Sequence, residues 1–318
     1  MKVFAPVSIG NFSVGFDLLG LAITPVDGEL LGDIVGIEAA EQDEVVCSGP
    51  YANVLPENPQ DNLVTFALEL FNSKLKEVAP KKLKPVRLNL EKRLPVGSGL
   101  GSSASSIVAT LFALNLFYDK EFSVDSLLEM AGELEGKVSG SVHYDNVAPC
   151  LLGGLQLMTN NEILPCVSVP FPEHWELVVS YPGIKVSTEK AREILPKEID
   201  MQTAIRFAQN LSVFVHALNN EDDKLAAAML FDVIAEPHRK SLIPGFDNYK
   251  DFAKSVGALG FGISGSGSTV FAVCDNRIVS NRVQNYAESH FCQKGGFSHI
   301  CKVDDFGVRV VDDVMAEE

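Results

Sequence analysis

The chain has 318 residues, 46% of them hydrophobic and 21% charged, with a formal net charge of −16. That is the composition of a globular protein long enough for two ordinary domains. The acidic balance argues against nucleic acid or an anionic membrane as partner, since both need a basic surface, yet leaves room for a local cradle that holds a small anion.

In chain order, Lys2 to Pro6 predicts a short strand, followed by a polar loop from Ser8 to Gly20. Asp33 to Glu38 and Glu44 to Ser48 read as strands, and Asn62 to Phe71 has helical periodicity with Asp61 or Asn62 as cap. Val86 to Leu90 alternates as a strand does; a glycine-serine loop follows, then helices from about Ser103 to Phe117 and from Asp125 to Glu135. Past Pro165 the pattern restarts, with a strand at Trp175–Ser180 and a short helix at Glu189–Ile194 capped by Ser187 or Thr188. Helices are expected over Met201–Asn219, Asp223–Ala235 and Asp247–Val256. A second glycine-serine loop, Gly260 to Ser268, leads into the strand Val270–Cys274, then a helix near Asn281–Phe291 and a strand near Ser298–Val303. A boundary near 160–170 divides the chain into residues 1–165 and 166–318.

Met1 to Pro6 carries no long apolar stretch or cleavage signal, and no run of about 18 apolar residues occurs, so the expectation is a cytoplasmic protein without a membrane span. The six cysteines are scattered. His290-x-Cys292 and His299-x-Cys301 have strand spacing suited to zinc, but without the usual Cys-x2-Cys pattern they read as partly buried strand residues.

The segment Pro95-Val96-Gly97-Ser98-Gly99-Leu100-Gly101-Ser102-Ser103-Ala104-Ser105 packs three glycines and four serines into eleven residues and opens a helix. Glycines allow close backbone approach and positive φ, and a helix N-terminus adds free N–H groups, so the pattern suits an anion, most often phosphate. No charge occurs from Leu94 to Tyr118, which leaves the anion to backbone and hydroxyls. There is no Gly-Lys-Ser/Thr of a Walker loop, the third glycine of a dinucleotide fingerprint falls on Ser102, and no Gly-x-Ser-x-Gly is in frame. The second loop is either a tight turn or a backbone face pressed against the first. Glu133 and Glu135 end the next helix, and a carboxylate near a phosphate loop is what Mg²⁺ requires.

These segments resemble the GHMP kinases and, among them, the homoserine kinase family, over essentially the whole chain. The carriers are Ala5-Pro6 with Asn11 to Gly20, Pro95 to Ser103, Gly132 to Gly136, Ser141 to Pro149, Tyr181 to Arg192, Ile234 to Pro237 with Arg239, and Gly262 to Gly267. The glycine motif alone gives the superfamily; His143-x-Asp145-Asn146-Val147-Ala148-Pro149 and Lys185-x-Ser187-Thr188 with Ala191-Arg192 narrow it.

The resemblance implies a two-domain α/β fold of the α+β two-layer kind, with ATP and L-homoserine in the cleft between domains. It implies an ATP- and Mg²⁺-dependent transfer to the homoserine hydroxyl, a step towards threonine, and a homodimer. The first loop, Pro95 to Ser105, would wrap the phosphates, with Asn62 and Lys92 on the nucleoside side. Ser103, or its neighbour Ser102, and Glu135 would hold Mg²⁺, and the second loop would brace the first. Asn11, Asp17, His143, Asn146, Thr188, Arg192 and Arg239 match the positions that hold the amino acid. Asp17 can pair with its ammonium, and Arg192 and Arg239 with its carboxylate. The small departure at Ser268, where the family often has proline, touches none of these roles.

Several relatives place an aspartate base where this chain has Asn146, and an amide cannot take the hydroxyl proton. Asp145 adjoins it but on an extended chain would face the other way. The expectation is therefore catalysis by positioning and charge neutralisation, with His143, Asn146, Glu135 and Ser103 around the reacting groups and the proton passing to phosphate or water. The competing readings are a superfamily kinase with another acceptor, a serine hydrolase using Ser102 or Ser264 with His143, and a nucleotide sensor without turnover.

Overall fold

The computed structural model describes residues 1–311 except 57, 141, 160, 162 and 163, so Ser141 and residues 312–318 lie outside the described residues. Its strands are β1 (Lys2–Gly10), β2 (Leu19–Pro25), β3 (Gly32–Ala39), β4 (Glu44–Ser48), β5 (Val86–Glu91), β6 (Leu155–Met158), β7 (Cys166–Val169), β8 (Glu176–Tyr181), β9 (Gly260–Ile263), β10 (Val270–Cys274), β11 (Phe297–Val303) and β12 (Arg309–Val311). The helices are α1 (Leu63–Val78), α2 (Ser102–Phe117), α3 (Val124–Ser139), α4 (Val147–Leu152), α5 (Thr188–Glu193), α6 (Met201–Asn219), α7 (Asp223–Ala228), α8 (Glu236–Arg239), α9 (Phe246–Ser255) and α10 (Arg277–Tyr286). None is long and apolar enough to cross a membrane.

The strands join in the order β4-β5-β3-β1-β2-β11-β8-β10-β9, with β12 added to β1 and the β6–β7 pair added to β2. Strand β1 links the two halves of this mixed α/β architecture. Its residues Lys2–Pro6 pair with β3, and Val7–Gly10 pair with β2. It runs four residues beyond the strand predicted from sequence because both of its faces are covered: every residue from Val3 to Gly10 is buried. Pro6 stands where the strand changes partner, a place that tolerates a missing N–H. Strand β11 returns from the far end of the chain to pair with β2, so residues on both sides of 165 share one sheet.

Helix α2 lies at the centre of the first half. Twelve of its sixteen residues are buried, on all sides, which accounts for the charge-free stretch around it. It packs against β1, β3, α1, α3 and α4 around one apolar core; two further cores lie under α6 and under α9 and α10. The helix expected over Asp223–Ala235 stops at Ala228. Asp232 turns its carboxylate onto the N–H groups of Ile234, Ala235 and Glu236 and so starts the separate helix α8. The last long helix begins earlier than expected, at Arg277, where the Asn276 side chain accepts from Val279 N–H. His290, Cys292 and Cys301 belong to no metal-type group among the described residues; His299 lies instead with the exposed Asp27 and Glu29, and burial pushes the Cys301 thiol up.

A buried polar network holds the start of α2 in place. Asp33 on β3 and Lys92 just past β5 form an ion pair with side chains 0% and 2% exposed. The Asp33 Oδ1 accepts from the N–H groups of Arg93 (2.9 Å) and Leu94 (3.2 Å), and Oδ2 accepts from Ser106 Oγ (2.6 Å). The Lys92 ammonium also donates to Ser102 O (2.8 Å) and Ser106 Oγ (3.0 Å). Removing one partner leaves a buried charge uncompensated. Lys92→Met is therefore expected to lower unfolding stability in urea by about 3–5 kcal/mol, with part of the loss recovered in the Asp33→Asn/Lys92→Met double variant.

Candidate active site

A cavity of about 500 Å³ opens between the two halves of the chain. Its wall includes Val96, Gly97, Ser98, Gly99, Gly101, Ser102 and Ser103, and, from the second half, Lys185, Thr188, Arg192, Arg239 and Gly265. Gly97, Gly99 and Gly101 have φ of 72°, 84° and 64°, a region that disfavours side chains. Gly101 precedes α2 directly, and no side chain caps that helix, so its first N–H groups face the cavity wall without a capping partner. Ser98 Oγ is buried there with no hydrogen-bond partner among the described residues. Three glycines that hold the backbone open, an uncapped helix start and an orphaned hydroxyl together fit a polyphosphate.

The second glycine-serine loop and the connection at Val186 pack on backbone carbonyls of the first loop. Ser264 Oγ donates to Gly99 O (2.7 Å), Thr269 N–H to Ser98 O (2.9 Å) and Val186 N–H to Gly97 O (2.9 Å). A Cβ at Gly99 would lie 2.3 Å from Ser264 O, so the two loops approach as closely as glycine permits. Lys185, carried by the Val186 connection, lies against Gly97: a Cβ there would be 2.8 Å from Lys185 Cγ. It brings a cation to a loop that has none of its own, and a reading of residues 94–118 alone could not find it.

On the floor beside the helix start, Ser103 Oγ donates to Glu135 Oε1 (3.1 Å). Burial raises the Glu135 carboxyl pKa, with the Ser103 hydrogen bond opposing. A hydroxyl and a buried carboxylate are the hard oxygen donors that Mg²⁺ takes, and a cation there would offset the cost of burying the charge.

The other end of the cavity is charged. Arg192 holds Asp17 with both branches of its guanidinium, Nη1 to Oδ2 at 2.7 Å and Nη2 to Oδ1 at 3.2 Å. Nη2 also lies 3.0 Å from His143 Nε2. Burial and the Arg192 charge lower the His143 pKa, with Asp17 opposing. Arg239 is buried and donates to Ala191 O (3.0 Å) and Gly265 O (2.8 Å). The guanidiniums of Arg192 and Arg239 both lie over the Phe16 ring, at 5.6 and 5.3 Å from its centroid. Asn11 serves this loop from within: its Oδ1 accepts from Asp17 N–H (2.9 Å) and its Nδ2 donates to Gly265 O (3.1 Å). Asn11, Phe12 and Ser13 all have positive φ, a strained run held by the buried Phe12 ring stacked on Phe271. Thr188, the first residue of α5, is exposed at the rim.

Asn146 and Asp145 share one wall. Ser8 Oγ donates to Asn146 Oδ1 (2.9 Å), which leaves the Asn146 amide as a donor towards the cavity. Asp145 does not face away as an extended chain would require. Asn146 has φ −110° and ψ −44°, so the segment turns into α4 there and both side chains fall on the same side. A Cβ at Gly10 would meet Asp145 Oδ2 at 2.6 Å and Asn146 Nδ2 at 2.8 Å. Burial, then the charges of Asp17 and Glu135, push the Asp145 carboxyl up to about 7, against Arg192.

Some expected contacts fall elsewhere. Pro95, Leu100, Ala104 and Ser105 turn inward: Leu100 and Ala104 sit in apolar cores, and Ser105 Oγ donates to Ala5 O (2.8 Å). Ser106 lines the cavity instead. Lys92 reaches the cavity floor, but its ammonium is bonded to Asp33, Ser102 and Ser106, so no proton remains for the nucleoside contact expected of it. Asn62 lines the wall beside Leu55, Pro56 and Leu63 and caps α1 through Val64 N–H (2.9 Å). Of the serines in the hydrolase alternative, Ser102 Oγ bonds Leu94 O and Ser264 Oγ bonds Gly99 O, away from the His143 ring that faces Arg192.

Comparison with known proteins agrees with this geometry. Residues 62–154 match the GHMP kinases N terminal domain and residues 214–292 the GHMP kinases C terminal model. The chain is similar to the crystal structure of a homoserine kinase from Cytophaga hutchinsonii, with 33% identity over 98% of this chain and 97% of that one and a TM-score of 0.87. A Listeria monocytogenes protein assigned as a homoserine kinase shares the fold at 24% identity, covering 98% of this chain and 99% of that one, TM-score 0.73. The Streptococcus pneumoniae phosphomevalonate kinase shares it at 14% identity, covering 96% and 98%, TM-score 0.69. With both domain models matched in order and a third of its residues shared with one relative along nearly its whole length, the chain belongs to the GHMP kinases.

Proposed function

We propose that this protein is a cytoplasmic homoserine kinase, transferring the γ-phosphoryl group of ATP to the side-chain hydroxyl of L-homoserine to give O-phospho-L-homoserine on the way to threonine. The observation that carries the reading is one cavity with a phosphate cradle at one end and Asp17, Arg192 and Arg239 at the other. A small zwitterion bound at the charged end would offer its hydroxyl to the cradle. Residues 1–165 form the lobe with the phosphate loop and Glu135, and residues 166–318 the lobe with Thr188, Arg192 and Arg239. A homodimer belongs to the same reading.

The residues divide the work. The N–H groups at the start of α2 and the loop 96–101 bind the phosphates, with Lys185 beside Gly97 adding charge. Ser103 and Glu135 would hold Mg²⁺, which when bound neutralises charge on the phosphates. Asp17 takes the substrate ammonium and the two arginines its carboxylate, with Asn11 fixing the Asp17 loop. The Asn146 amide, aimed by Ser8, donates to the oxygen of the hydroxyl and so sets its direction of attack. Transfer through a loose transition state draws mainly on such positioning and charge neutralisation.

Phosphate-transfer assays with homoserine, serine, mevalonate and galactose are expected to show a clear preference for homoserine; equal or greater turnover of any other acceptor refutes the assignment. Glu135→Gln is expected to weaken Mn²⁺ binding, measured by electron paramagnetic resonance with nucleotide present, by at least roughly tenfold and to lower kcat on the order of 10²-fold. Arg192→Ala is expected to raise KM for homoserine on the order of 10²-fold while KM for ATP stays within about threefold, read from steady-state kinetics.

A further inference from the structure

Resting on the kinase reading above, we propose that Phe16 is a positioning residue for the charged end of the cavity: its ring holds the guanidiniums of Arg192 and Arg239 together in the pose that receives one carboxylate. The two arginines come from different helices, α5 and α8, yet both lie over this ring, at 5.6 and 5.3 Å from its centroid. Among the described residues no other ring has two cations over it. Core packing does not account for the ring. Phe16 is half-buried, belongs to none of the three apolar cores, and has no aromatic ring packed on it among the described residues. Phe12, four residues earlier, is the contrast: it is buried in a core and stacks on Phe271.

The arginines need such a support. Arg239 is buried, yet among the described residues no carboxylate pairs with it; it donates to two uncharged carbonyls, Ala191 O and Gly265 O. Burial lowers its pKa and the neighbouring Arg192 charge adds to that, with Asp17, Asp232 and Asp145 opposing. Arg192 is tied to Asp17 and His143, but its side chain is 38% exposed. When a substrate ammonium takes Asp17, Arg192 loses its ion pair and is left with His143 and the ring. An aromatic face suits the task because its quadrupole attracts cations, carries no net charge and takes up none of their N–H donors. A carboxylate in its place would occupy the donors that the ligand carboxylate needs. An aliphatic side chain would leave the repulsion between the guanidiniums unopposed.

Phe16 also adjoins Asp17 in the chain, and Asn11 fixes the loop on both sides of the ring. Its backbone O accepts from Gly15 N–H (3.0 Å) and its Oδ1 from Asp17 N–H (2.9 Å). One loop therefore sets both the acid for the ammonium and the support for the two arginines, and with them the distance between the two charges of the ligand. Arginines held in the binding pose beforehand cost less to order when the ligand arrives. Without the ring they would spend part of their time elsewhere, and the apparent affinity would fall by that fraction.

The test replaces Phe16 in the full chain by phenylalanines carrying one, two and three ring fluorines, which change the size of the ring little but drain its π face step by step. Homoserine binding is measured by calorimetry with Mg²⁺ and a non-hydrolysable ATP analogue present. Kd for homoserine is expected to rise with each fluorine, reaching about fivefold at three, and Phe16→Leu is expected to bind at least as weakly as the trifluoro ring. Kd for the ATP analogue should stay within about twofold, and the loss in kcat/KM should be carried by KM for homoserine. A homoserine Kd that does not depend on the number of fluorines overturns the proposal, because a ring that only fills space does not sense the charge of its π face. So does an equal weakening of nucleotide and homoserine, which marks a general disturbance of the cleft. Should Phe16→Leu fail to fold, the fluorinated series, close in shape to the native ring, decides alone. A wild type that binds no homoserine refutes the kinase reading and this proposal with it, whereas a wild type that binds homoserine beside a flat series refutes the proposal alone.

Discussion

The buried pair of Asp33 and Lys92 is the constraint on which the site depends. Asp33 grips the backbone of Arg93 and Leu94 just before the glycine loop, and through Lys92 and Ser106 it grips the first turns of α2 just after it. Asp33 N–H also donates to Ser105 Oγ (2.9 Å). Both ends of an otherwise featureless loop are thereby tied to one strand. Apart from Leu100, such a loop has little side-chain packing to order it, and a flexible loop would lose entropy on binding an anion. Anchoring its ends by charge-assisted bonds shielded from water moves that cost from the binding step to folding.

The middle of the loop is held differently. The second glycine-serine loop meets it at Gly99, whose carbonyl accepts from Ser264 Oγ, and Gly265 N–H donates to Gly10 O (2.9 Å) at the end of β1. Gly265 O receives both Asn11 Nδ2 and Arg239 Nη1. The loop that braces the phosphate cradle therefore also sets the amino-acid end of the cavity. A displacement at either end must pass through these shared carbonyls, which on the proposed reading would hold the separation between phosphates and acceptor on which phosphoryl transfer by positioning depends.

What could be read from the chain alone follows from what is local. The glycine-serine run, its exit into a helix and the alternation of Val86–Leu90 are local, and the structure has each where the pattern places it. The residues of the amino-acid end, Asp17, His143 and Arg192, came from motif resemblance rather than from periodicity, and they do meet. The failures are contacts at a distance. Lys92 resembled a nucleotide contact because its partner, Asp33, lies on another strand. Asp145 looked outward because alternation assumes an extended chain, whereas the turn at Asn146 is accommodated by Gly10 and Gly20 more than a hundred residues earlier. The continuity of the sheet likewise rests on β2 meeting β11, a pairing that no local pattern encodes.

On the proposed reading, the charges at the Asp17–Arg192 end of the cavity are arranged so that the ligand must carry both of its own. With no ligand, Asp17 and Arg192 satisfy each other, and neither stands as an isolated charge in a half-buried wall. A zwitterion can replace that one pair by two, its ammonium taking Asp17 and its carboxylate taking Arg192 with Arg239. A carboxylate without an ammonium can win Arg192 only by stripping Asp17 of its partner, and an amine without a carboxylate strips Arg192 in the same way. Selectivity then comes from the charge left behind as much as from the new ion pairs, and a neutral hydroxyl compound has nothing to offer in place of the broken pair. The same exchange frees Arg192 from Asp17 only when substrate is present. On that reading the two ends of the cavity do separate work: the braced glycine loop would fix where the phosphoryl group is, and the exchangeable ion pair would decide which hydroxyl is brought to it.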